Sequence, residues 1–128
     1  MRILIDTHIA LWAISDDIRL TAKARKLLLD LQNDIVVSAA TVWEISIKYA
    51  LGRGNMPVSG NDALGYFKES GYRLLSVTPE HAAFVEQLLP HHTDPFDRIL
   101  VAQALCEPLR LLTHDVAIAR YSDTVILV

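Results

Sequence analysis

Short apolar runs alternate along the chain with stretches in which apolar residues return every three or four positions. Arg2 to Ile5 reads as a short strand, and a helix follows from about Thr7 to Ile14. Thr21 is placed as an N-cap, after which Ala24, Leu27, Leu28 and Leu31 recur at helical spacing. Lys23, Lys26 and Asp30 fall on the opposite, solvated face. Ile35 to Ser38 makes a second strand and Ala39 to Leu51 a long helix. Gly52, Gly54, Pro57 and Gly60 then punctuate a loop that is too short to be a domain linker. The pattern continues with a helix from Asp62 to Ser70 and a strand from Tyr72 to Val77. Thr78-Pro79 opens a further helix to about Leu89, with threonine as cap and proline at the first helical position. Pro90 to Pro95 is a polar loop, and Phe96 to Cys106 a helix apolar on nearly every side, which places Cys106 in the core. Arg110 to Thr113, Val116 to Arg120 and Val125 to Leu127 read as strand, short helix and strand.

Strands alternating with helices predict an α/β fold, a parallel sheet covered on both faces. In such sheets ligands bind beyond the carboxyl ends of the strands, so function is sought along that edge. A length of 128 residues with 52% hydrophobic and 21% charged residues is one domain, residues 1–128, with enough apolar content for a core of its own. Disorder is excluded by the apolar content, and a disulfide scaffold by the single Cys106. No secretory signal or membrane span is expected, since Asp6 interrupts the first apolar run, and the expected location is the cytoplasm. A net charge of −3 argues against a protein that holds nucleic acid by bulk positive charge, though bound cations could carry that attraction locally.

Asp6 follows the first strand and Asp115 comes two residues after the fourth, so both belong to the carboxyl edge. The helix from Ala39 starts at that edge, and Thr41, Glu44 and Lys48 form its only polar stripe among residues that predict a largely buried helix. Asp97 lies in the first turn of the apolar helix after Pro95. Each acid also has an ordinary explanation. Asp6, Asp115 and Asp94 could cap helices, Asp97 could sit at a positive helix end, and Glu44 with Lys48 is an i, i+4 ion pair. Capping does not explain a glutamate on a buried helix, nor why four acids should share one edge. Two like charges about 4 Å apart repel by roughly 1 kcal/mol in water and by several in a partly buried site. Such a crevice calls for a cation, and oxygen ligands favour Mg²⁺ or Mn²⁺ over zinc. Carboxylate-held metals with open positions for phosphate oxygens are suited to phosphodiester hydrolysis.

The histidines carry less. His91, His92 and Asp94 could bind a transition metal, but no second cluster has zinc-ligand spacing, and a loop role is expected. His8 and His114 stand beside the acids and could tune or orient the site. No GxSxG, Walker or GxGxxG pattern is present.

Four fragments in order carry a resemblance: Ile5-Asp6-Thr7-His8 with Trp12, and Trp43-Glu44-Ile45-Ser46-Ile47-Lys48 leading into Leu51-Gly52-Arg53. His92-Thr93-Asp94-Pro95-Phe96-Asp97-Arg98 with Ala102-Gln103-Ala104 comes next, then Thr113-His114-Asp115 with Tyr121. Over essentially its whole length the chain resembles the PIN-domain ribonucleases, and among them the VapC-type toxins of bacterial toxin–antitoxin pairs. The resemblance implies a PIN-like three-layer α/β/α fold with a five-stranded parallel sheet. It also implies a Mg²⁺ or Mn²⁺ site made by Asp6, Glu44, Asp97 and Asp115, with Asp94 a weaker candidate. Thr7, Thr113 and Arg98 look like supporting residues for the metals or the substrate, and Lys48, Arg53 or Arg98 could stabilise charge on phosphate. Similar toxins cleave RNA, dimerise, and pair with a small antitoxin that covers the acidic pocket.

Other readings are a same-fold nuclease acting in RNA maturation or on DNA, and a catalytically silent module that binds RNA or a partner. A signalling receiver domain also gathers carboxylates at a sheet edge, but it needs a lysine after its last strand, and none stands there.

Overall fold

The computed structural model describes residues 1–128. Five strands, β1 (Arg2–Ile5), β2 (Asp34–Ser38), β3 (Arg73–Leu75), β4 (Arg110–Thr113) and β5 (Val125–Leu127), pair in the order β3-β2-β1-β4-β5, and every pairing is parallel. Leu4 lies between Val36 and Leu111, so the central strand is β1. The helices are α1 (Thr7–Ser15), α2 (Ala22–Leu29), α3 (Ala39–Ala50), α4 (Gly60–Glu69), α5 (Pro79–Phe84), α6 (Pro95–Cys106) and α7 (Val116–Ala119).

Strand side chains alternate between two cores. Ile3, Ile5, Ile35, Val37 and Leu112 pack with Ile9, Trp12, Ala24, Ala63 and Phe67 of α1, α2 and α4. Leu4, Val36 and Leu111 face the other way, onto Leu100, Val101, Ala104 and Ile118 of α6 and α7. The helix α3 feeds both cores, through Ile45 and Ala40 respectively. The expected three-layer α/β/α arrangement is the one observed.

Several expectations are corrected. The helix after Thr21 stops at Leu29, so Leu31 is fully exposed rather than on a buried face. The helix after Thr78 gives way at Val85–Gln87 to a 3₁₀ turn, and β3 is shorter than its apolar run. α4 begins two residues early, because the Ser59 hydroxyl accepts the Asp62 N–H, and its first residue is glycine for a steric reason. A Cβ on Gly60 would come within 1.7 Å of Ser46 Oγ on α3. Cys106, the last residue of α6, is exposed rather than in the core.

A further correction concerns the apolar side of α3, which was expected to be buried. The helix's polar residues Thr41 and Glu44 are buried, whereas Trp43 is 61% exposed and Tyr49 52%. The helix is therefore turned with its polar stripe inward, toward the edge where β1 ends.

Candidate active site and metal centre

Asp6, Ser38 and Asp115 each stand at the end of a strand and cap the helix that follows. Asp6 Oδ1 accepts the Ile9 N–H at 2.9 Å, and Asp115 Oδ1 the Ala117 N–H at 2.8 Å. Capping occupies one oxygen of each carboxylate and leaves Oδ2 for other work. Asp6 Oδ2 accepts from the Thr113 hydroxyl at 2.5 Å, and Asp115 Oδ2 from His92 Nε2 at 2.9 Å. The capping and cluster explanations for these acids thus hold together, one oxygen apiece.

Glu44 is 4% exposed, so its pairing with Lys48 is not a surface ion pair. Its Oε1 accepts from Thr7 Oγ1 at 2.7 Å and its Oε2 from Lys48 Nζ at 2.5 Å. Thr41 Oγ1 lies 3.2 Å from Thr7 Oγ1 and completes a small buried network that fixes the glutamate.

Asp97 sits in the first turn of α6 and is half-buried. Burial and the negative charges of Asp94, Asp6 and Glu44 push its carboxyl up to about 7, against an opposing pull from His92. Burial raises Asp6 also, partly offset by the Thr113 hydroxyl. Asp115 behaves differently: burial pushes it up, but the hydrogen bond from His92 and the backbone N–H of Ala117 outweigh that and leave it below its ordinary value. A carboxyl raised by burial and, beyond that, by like-charged neighbours marks a site with more negative than positive charge.

The tightest group is His92, Asp97 and Asp115, whose potential ligand atoms all lie within 4.8 Å of one another. Asp6 and Glu44 lie outside that group but near enough for their charges to act on Asp97. A surplus of negative charge with oxygen donors from four elements fits a hard divalent cation.

The remaining expected site residues fall as follows. Asp94 caps α6, its Oδ1 accepting from Phe96 N at 2.8 Å and Asp97 N at 3.3 Å. Thr113 and Thr7 support acids directly, and Lys48 borders an open cavity of about 360 Å³ with Thr7, His8, Trp12 and Glu44. Arg98 is turned away from the acids. Its guanidinium donates to the carbonyls of Val85, Leu88, Leu89 and His92 and to the Tyr121 hydroxyl, so it clamps the loop before α6. Arg53 is exposed in the turn after α3. His8 and His114 flank the Trp12 ring, at centroid distances of 5.8 and 5.7 Å.

Two residues escaped sequence reasoning. Arg19 reaches over Trp12, 5.3 Å from the ring centroid, and borders the cavities on both sides of it, with no motif to mark it. His92 was expected in a loop role, yet its ring stands between Asp97 and Asp115. Its position two residues before the cap Asp94 was the available signal.

A family model of the PIN domain matches residues 3–123. The chain belongs to the PIN domain family. No curated protein matches it in sequence. Among solved structures, this PIN domain is similar to a chain of VapBC2 from Rickettsia felis, bound to a DNA fragment from its promoter. That pair shares 17% identity at a TM-score of 0.70, over 100% of this chain and 98% of the other. It is also similar to FitAcB from Neisseria gonorrhoeae, with 21% identity, a TM-score of 0.65, and 98% and 96% of the two chains covered. A toxin–antitoxin complex from Klebsiella pneumoniae contributes a further similar chain, at 20% identity and a TM-score of 0.58, with 96% and 94% covered. At these identities the likeness is one of fold.

Proposed function

We propose that this PIN domain is a Mg²⁺- or Mn²⁺-dependent endoribonuclease and the toxin of a toxin–antitoxin pair. Nuclease activity is general to the family, and the observation that carries the finer reading is the gathering of Asp6, Glu44, Asp97 and Asp115 at one edge, where burial first and the neighbouring carboxylates second lift Asp97 to about 7. Asp6, Asp97 and Asp115 would hold one or two ions, with Glu44 as a further ligand or as the orienter of a water. When bound, the ion supplies Lewis-acid stabilisation of phosphate oxygens and a more acidic water.

The chain's own residues do the rest. Thr113 and the α1 backbone fix Asp6, while Thr7 and Lys48 fix Glu44, so the acids are arranged before substrate arrives. Lys48 borders the open cavity, where its ammonium offsets charge on an incoming phosphate. With water as the nucleophile the 2′-hydroxyl takes no part, and the products carry 5′-phosphate and 3′-hydroxyl ends.

An antitoxin partner is supported by the similar chains from toxin–antitoxin assemblies. A homodimer is supported by the outward apolar face of α3. There Trp43 packs on Phe96 beside a groove of about 560 Å³ that includes Val77, Val85 and Ile99. No helix is long and apolar enough to cross a membrane, and we place the protein in the cytoplasm.

The test is cleavage of total RNA by wild type and by Asp6→Ala, with Mg²⁺, with Mn²⁺ and with EDTA. Metal-dependent cleavage that the variant loses is expected. A 2′,3′-cyclic phosphate product rules the mechanism out, and inactivity under every condition turns the reading toward a silent binding module.

A further inference from the structure

His92, Asp97 and Asp115 look like a three-ligand metal site, with their donor atoms within 4.8 Å of one another. The hydrogen bonds of His92 argue for a different part. Its Nδ1 accepts the backbone N–H of Asp94 at 3.0 Å. A ring nitrogen that accepts carries no proton, so the neutral imidazole has its hydrogen on Nε2. Nε2 lies 2.9 Å from Asp115 Oδ2 and 3.1 Å from Asp97 Oδ2 and donates toward both.

Ligation through Nε2 would require that hydrogen to move to Nδ1, where it would meet the Asp94 N–H head-on. A ligating histidine ordinarily donates its second ring N–H to an acceptor. Here the second nitrogen faces a donor. The backbone of His92 is held as firmly as the ring. Its N–H donates to the Tyr121 hydroxyl at 2.9 Å, and its carbonyl accepts from Arg98 at 3.3 Å. Arg98 and Tyr121 are themselves joined at 3.0 Å, so the ring is aimed by a braced loop.

We infer that His92 is a positioning residue of the metal centre, whose Nε2–H holds the facing oxygens of Asp97 and Asp115 for the ion without binding it. Each carboxylate oxygen has two lone pairs, so it accepts from His92 and still offers an electron pair to the metal. The inference rests on the metal-site reading above and adds a residue that the acids alone do not predict. An alternative is that the ring only tethers its loop to the sheet edge, in which case metal affinity is indifferent to it.

The test uses the full chain stripped of metal and needs no catalysis. Mn²⁺ and Mg²⁺ binding are measured by calorimetry on wild type, His92→Ala and His92→Gln, with electron-spin-echo spectra of bound Mn²⁺. His92→Ala is expected to weaken both ions about ten- to a hundredfold, the range typical of residues that orient ligands. His92→Gln, which keeps an N–H donor at similar reach, is expected to recover much of the loss. The wild-type spectrum is expected to show no directly bound nitrogen that disappears in His92→Gln.

Such a nitrogen, or a loss confined to Mn²⁺, makes His92 a ligand and overturns the inference. Unchanged affinity reduces it to a loop tether, and tighter binding in His92→Ala makes it a competitor for the site. If His92→Ala does not fold, the wild-type spectrum and His92→Gln decide. Absence of Mn²⁺ binding by wild type defeats the metal reading before any variant is compared, and this inference with it.

Discussion

Replacing Asp97 by asparagine should abolish cleavage and yet stabilise the metal-free protein. Asp97 ionises near 7 in the folded chain against 3.8 as an ordinary aspartate, because it is buried among Asp94, Asp6 and Glu44. The folded state therefore binds this proton more tightly than the unfolded state does. The associated stability is complete below pH 3.8 and is lost as pH rises through about 7. At about 1.4 kcal/mol for each tenfold in proton affinity, the ceiling of that loss at pH 8 is ~4 kcal/mol. Asparagine does not recover all of it. Its amide is still desolvated, and an anion in the first turn of α6 is worth roughly 0.5 kcal/mol that the neutral side chain would forgo. A net gain of about 2 kcal/mol remains. For 128 residues unfolding with roughly 2.1 cal/mol/K each, that is a rise in Tm of about 7 °C. The assay is calorimetry in EDTA at pH 8 and pH 4.5, then at pH 8 with Mn²⁺. Asp97→Asn should melt higher at pH 8, with that gain gone or reversed at pH 4.5, and Mn²⁺ should raise wild type alone. If the variant melts at or below wild type in EDTA at pH 8, the acids do not repel one another and the argument fails.

Three further substitutions probe what holds the site in place. Thr113→Val leaves Asp6 Oδ2 buried without its donor and should cost about 1–3 kcal/mol in urea unfolding, more at pH 8 than at pH 5, because Asp6 is then harder still to ionise. Gly60→Ala drives a methyl into Ser46 Oγ and should cost about 1–3 kcal/mol. Adding Ser46→Ala should return part of that loss by removing the nearest clashing atom, and no recovery would mean that backbone, not this contact, sets the cost. Arg98→Ala frees four carbonyls and the Tyr121 hydroxyl, so hydrogen exchange across residues 85–92 should quicken and metal affinity should fall. Exchange as slow as in wild type would show that the loop does not depend on the clamp.

The parallel sheet and the shared edge of the acids were legible because strands alternating with helices leave few ways to arrange Asp6, Glu44 and Asp115; the strand order was not. The facing of α3 was harder to read. Its polar stripe pointed Glu44 toward the edge, but its apolar flanks gave no sign that Trp43 and Tyr49 would be exposed; the Thr7 hydroxyl of α1 meets Glu44 on the inward side, and Lys48 travels with it on α3. Cys106 misled because the apolar pattern of α6 continues to the helix's last residue, which faces solvent. His92 was obscured by distance. Its two carboxylate partners lie 5 and 23 residues away, and a histidine in a polar loop carries no periodic mark of the company it keeps.

The central strand β1 is made before the other four strands, and its neighbour β4 only after β2 and β3. A ribosome making this chain releases Asp6 early, but the Thr113 hydroxyl that holds it comes 107 residues later. At roughly 5–20 residues per second, several seconds pass in which β1 and β2 exist without β4. Through most of that interval the nascent chain lacks both Asp97 and Asp115. The acid cluster therefore cannot close until Asp115 has followed Asp97 off the ribosome.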